Sequence, residues 1–93
     1  MPRYLIERTF PEAVRLPGPD DGDLAQRIFL ENNALDGVTW VQSYIVPERH
    51  KSFCLYDAPA PEALRRASQR NGLPVDRINE VRLLAPDADG GAP

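Results

Sequence analysis

Glu7 and Glu80 fall in segments that read as strands. Two carboxylates brought together can do acid–base work or hold a metal when burial and mutual repulsion raise one pKa. Arg8 and Arg82 beside them offer the plainer alternative of an ordinary charge-paired set. His50 is the single imidazole, the commonest transition-metal ligand and the usual general base. Its place in "PERHK" equally suits a solvated turn residue, and one His cannot build a structural zinc site, which wants four N/S ligands. Cys54, the single cysteine, sits between Phe53 and Leu55 and reads as a buried thiol, since no adjacent basic residue would lower its pKa. It is four residues from His50, roughly 13 Å on an extended strand, too far for a nucleophile pair. "LRRASQR" (64–70) gathers three Arg without interleaved aromatics, the pattern of a solvated helix face rather than of a phosphate or RNA site. The chain has no Gly-rich phosphate loop, no G-x-S-x-G and no C-x-x-C.

The elements that must position these residues follow from pattern. "RYLIERT" (3–9) reads as a strand, and "PEAVRLPGPDDGD" (11–23) as a loop rich in Pro, Gly and Asp. Asp20, Asp21 or Asp23 then caps a helix whose apolar stripe is Leu24, Ala25, Ile28 and Phe29, ended by Asn32, Asn33 and the "DG" at 36–37. "VTWVQSYIV" (38–46) is dense in β-branched and aromatic residues, "PERH" (47–50) is a turn, and "KSFCLYD" (51–57) completes a hairpin. "APAPEALRRASQRNG" (58–72) reads as a second helix, with Pro61 in its first turn and Gly72 as a left-handed stop. "INEVRLLA" (78–85) is a last strand and 86–93 a polar tail. The order β-α-β-β-α-β predicts an α+β, ferredoxin-like sandwich: a single domain over 1–85, with two helices on one face of a four-stranded antiparallel sheet.

Strand alternation then assigns the two faces. Ile6, Val41, Ile45, Phe53, Leu55, Val81 and Leu83 form an apolar set placed under the helices. The opposite parity, Leu5, Glu7, Trp40, Gln42, Tyr44, Cys54, Tyr56, Glu80 and Arg82, falls on the open face. So much aromatic area on a solvent face marks an interface or a ligand surface. A face-to-face homodimer covers it, with Trp40 and Tyr44 as interface anchors and Glu7, Gln42, Tyr44, Tyr56 and Glu80 lining any cavity. An amphipathic monomer is the alternative.

Composition bounds the rest. At 42% hydrophobic and 27% charged the chain is globular, and a net charge of −3 argues against nucleic acid or an anionic membrane as partner. One cysteine makes no internal disulfide, and neither a signal-peptide pattern nor a membrane-length apolar run is present, so a cytoplasmic location is expected. Ten Arg against one Lys suit a GC-rich bacterial genome.

"YLIER", "WVQSYIV", "FCLYDAPAPEALRRAS" and "NGLPVDRINEVRLL", in that order from Tyr4 to about Leu84, resemble a family of small bacterial proteins of unknown function that includes nickel-binding members. The resemblance implies a ferredoxin-like α+β sandwich that dimerises, and nickel as a possible ligand held by imidazoles and carboxylates. Members of that family often carry His in the block where this chain has Gln42, and many have a Glu-His pair where it has Arg66 and Ala67. The metal candidates left are Glu7, Glu80 and His50. Besides metal binding, two functions stay open: a small-molecule enzyme or binder of the dimeric α/β-barrel kind, with Glu7 or Glu80 as proton acceptor and Tyr44 or Tyr56 orienting the ligand, and a structural or regulatory interaction module.

Overall fold

The structure, a computed structural model of the chain, describes residues 1–13, 30 and 33–86. Four strands form one sheet: β1 (Arg3–Thr9), β2 (Thr39–Val46), β3 (Lys51–Asp57) and β4 (Arg77–Val81). Their spatial order is β2-β3-β1-β4, and every neighbouring pair is antiparallel. A 3-10 turn (Pro47–Arg49) joins β2 to β3, and helix α1 (Pro61–Arg70) leads from β3 towards β4. The architecture is α+β. The expected first helix lies outside the described residues except for Leu30, Asn33 and Ala34, which are helical. The capping aspartates at 20, 21 and 23, the stripe Leu24, Ala25, Ile28 and Phe29, and all of the tail but Pro86 lie outside them too.

α1 begins three residues later than the sequence pattern suggests. Ala60 is still extended, and Pro61 opens the first turn, where its missing N–H costs nothing. Its C-terminus is closed by the left-handed residue Gly72 (φ +69°): the Gly72 N–H donates to the Gln69 carbonyl (3.1 Å) and the Leu73 N–H to the Ser68 carbonyl (2.8 Å). Those two bonds satisfy carbonyls that the helix itself leaves without donors. Ala63, Leu64, Ala67 and Ser68 form the buried face of α1. They pack on Tyr4, Ile6, Val38, Cys54, Tyr56 and Ala58, with Trp40, Val75 and Ile78 at the margin.

The register corrects the face assignment. Tyr4 pairs with Tyr56, Ile6 with Cys54 and Arg8 with Ser52, so Cys54 and Tyr56 lie beneath α1 rather than on the open face. Phe53 and Leu55, expected in the core, are opposite Glu7 and Leu5 on the open face. β3 is apolar in both phases, so its hydrophobicity could not fix which side turns inward; pairing with β1 does. Trp40 also moves to the helix side. The β-bulge between Trp40 and Gln42 leaves Trp40 opposite Tyr56, while Gln42 and Tyr44 are opposite Leu55 and Phe53. Val41 is the extra residue of the bulge and is exposed. A bulge inserts one residue on one strand, which breaks simple alternation. In β4, Ile78 pairs with Ile6 and packs on the core, whereas Val81 pairs with Arg3 on the open face. β4 stops at Val81, four residues short of the expected end, and Leu83 is exposed rather than covered.

Candidate functional site

The open face is built from alternate residues of all four strands. β1 contributes Leu5 and Glu7, β3 Phe53 and Leu55, β2 Gln42 and Tyr44, and β4 Asn79 and Val81. Tyr44 is 56% exposed and accepts a hydrogen bond from Gln42 Nε2 at 2.5 Å, two residues back on the same side of the strand. At the centre the Glu7 carboxylate lies between two cations, with Lys51 Nζ at 2.5 Å and Arg77 Nε at 4.0 Å. Its partners are therefore not the Arg8 and Arg82 suggested by sequence adjacency. Adjacent residues of a strand point to opposite faces, so Arg8 cannot reach it.

The sequence-derived site residues divide. Glu7, Gln42 and Tyr44 come together on the open face. Trp40, Cys54 and Tyr56 are on the other side, under α1 or at its margin. Glu80 is opposite Tyr4 and therefore on the reverse face from Glu7. Among the described residues its ion-pair partner is the exposed Arg82, at 3.8 Å. His50 closes the hairpin turn in a left-handed conformation (φ 52°) and is not a fully solvated residue: its Nδ1 is buried and has no hydrogen-bond partner among the described residues. Its carbonyl accepts from the Phe10 N–H at 2.8 Å. Cys54 is a free, buried thiol with Sγ 3.5 Å from Ser52 Oγ. Two of the three arginines in "LRRASQR", Arg66 and Arg70, bind Asp36, whose side chain is only 5% exposed, at 3.3 Å each. Arg70, followed by Arg66, holds that carboxyl below its ordinary pKa, against the opposing effect of desolvation.

One group the residue patterns did not single out is Arg8. It is 2% exposed and the largest fully buried side chain described. Nη1 donates to Ser68 Oγ (3.1 Å) and to the Pro74 carbonyl (2.8 Å), and Nη2 donates to Tyr56 Oη (3.1 Å). The guanidinium also lies 5.8 Å from the centre of the Tyr56 ring. Among the described residues no carboxylate pairs with it, and its Nε has no partner. Burial raises the Tyr56 pKa, and the neighbouring cation opposes that rise. The sequence held a signal: Arg8 shares the inward parity of Tyr4 and Ile6.

A nickel ion would need several nitrogen and oxygen donors converging on one point. Among the described residues no three His, Cys, Asp or Glu side chains converge in that way. Glu7, Glu80 and His50 sit on the open face, on the reverse face and in the hairpin turn respectively. The described residues of one chain thus do not fit the ion. No helix among them is long and apolar enough to cross a membrane.

The comparisons with known proteins agree with the fold. The crystal structure of SCO4226 from Streptomyces coelicolor A3(2) is similar to this chain with a TM-score of 0.70 and 24% identity, over 89% of this chain and 99% of that one. At that identity the likeness establishes shared architecture and nothing about residues. No curated protein matches the chain. The family described as nickel responsive protein SCO4226-like matches residues 4–81, which is nearly the whole span of the sheet and α1, and the chain belongs to that family.

Proposed function

We propose that this protein is a small binding protein of ferredoxin-like βαββαβ architecture that works as a face-to-face homodimer, with a divalent metal ion of the nickel class as its ligand. The observation that carries the pairing is the open face itself. Leu5, Phe53, Leu55, Tyr44 and Val81 share that face with a Glu7–Lys51 ion pair, and among the described residues α1 packs only on the other side. Apolar area of this kind on one side of a sheet is normally covered. The face also carries both signs of charge, so a second copy of itself is an electrostatically acceptable cover.

What supports nickel is the family's description as nickel responsive. Because one chain falls short of a donor set, the metal reading requires donors from both copies or from residues outside those described. Among the described strand residues Glu7 and Asp57 are the carboxylates on the shared face; Asp57 is paired with Arg3, and a cation bound at Glu7 competes with Lys51 and Arg77.

Calorimetric titration of the tag-free protein with nickel tests the metal reading. Saturable heat, with a matching rise in Tm, is the expected result, since a ligand that binds only the native state stabilises it. No heat and no stabilisation would remove nickel and leave a pairing module.

A further inference from the structure

We infer that residues 82–84 form an arm that reaches a second copy of this chain and lies over the open face of its sheet. This rests on the paired reading above and extends it by assigning the partner a contribution to each face.

The arm begins where β1 runs out. The last pair between β1 and β4 is Arg3 with Val81, and Arg3 is the first residue of β1, so residues beyond Val81 run past that strand without pairing to it. The apolar pattern nevertheless continues. Leu83 is 74% and Leu84 95% exposed, and Met1 at the same end is also 74% exposed. Leu83 shares an open groove with Met1 and Arg3. Single exposed leucines are ordinary, but two in succession beside an exposed Met1 form an apolar cluster that marks a contact made elsewhere.

The same molecule supplies the surface that would receive them. Val81 is on the open face, and the arm extends from it, beyond the end of the stripe formed by Leu5 and Leu55. An arm that projects past its own sheet cannot fold over that sheet's centre without reversing. In a two-fold pair, each arm meets the other copy's face, both faces are covered, and the assembly closes at two chains.

Sedimentation equilibrium on the full chain, with Leu83→Ser and Leu84→Ser combined, tests this. The dimer Kd should rise by about tenfold or more, as losing two interfacial leucines requires, with an unchanged far-UV CD spectrum. Arg65→Ser, on the exposed side of α1, should leave Kd unchanged. If the double variant dimerises as tightly as the wild type, the arm is wrong and the face-to-face pair stands. If the wild type is a monomer, both fail. A photo-cross-linking residue placed at position 84 gives an independent readout: adducts between chains should map to β1 and β3, and adducts confined to β4 would show edge-to-edge pairing and overturn the arm.

Discussion

Tyr56→Phe isolates one hydrogen bond to a buried cation. The Arg8 guanidinium has five N–H donors. Two Nη1 bonds go to Ser68 and Pro74, one Nη2 bond goes to Tyr56, and Nε has no partner among the described residues. Replacing the phenol by a phenyl keeps the ring beside the guanidinium and removes the acceptor, together with the hydroxyl's contact to Cys54, which is lost equally in both arms of the cycle below. A further N–H donor on a charged, 2% exposed group then goes unmet. Hydrogen bonds to charged groups contribute about 1.5–3 kcal/mol each, and an unmet buried donor carries a cost of the same size. The expected loss is about 2 kcal/mol, which for a chain of this length lowers Tm by about 10 °C. Urea denaturation followed by Trp40 fluorescence, at one fixed protein concentration so that association is held constant, measures it. Repeating the substitution in an Arg8→Met background completes a cycle. There the phenol has no cation to serve, so the cost should fall by more than half. A loss under about 0.5 kcal/mol in the wild-type background, or equal losses in both, would refute the reasoning.

Two further outcomes follow from local geometry. Gly72→Ala should destabilise by about 1 kcal/mol in the same urea assay, because φ is +69° there while nothing lies within 4 Å of the added Cβ, so the penalty is purely that of the backbone. Asp36 has a folded pKa below its ordinary 3.8, so the stability it contributes is present above that value and is lost as pH falls through the folded one. Asp36→Asn should therefore flatten the fall in Tm below about pH 4 relative to the wild type, as read by thermal melts across an acid series.

Much of the architecture was legible because it depends on period and punctuation. β1 and β3 match the expected segments, β2 begins one residue late, and Gly72 stops α1 as its type requires. The candidate site was legible only in part. Gln42, Tyr44 and Glu7 do share a face. Trp40 was lost to a bulge, which no alternation rule foresees. Cys54 and Tyr56 were lost because "SFCLY" is apolar in both phases, so that register rather than hydrophobicity decides its inward side. Arg8 was passed over because an arginine beside a glutamate suggests a surface pair. Its burial depends on acceptors 48, 60 and 66 residues away in sequence, and such distant partners leave no local pattern. β4 was drawn too long because "EVRLLA" has strand character, while the strand it needs for pairing ends at Arg3.

The central claim is that the open face is covered by a second copy. Multi-angle light scattering on the tag-free wild type, read over a dilution series beside a Phe53→Asp variant, tests it most directly. A mass twice the 10.4 kDa of one chain, reverting to a single chain when a carboxylate replaces Phe53 on that face, is the predicted result. A single-chain mass at every concentration, or a dimer indifferent to Phe53→Asp, would contradict it.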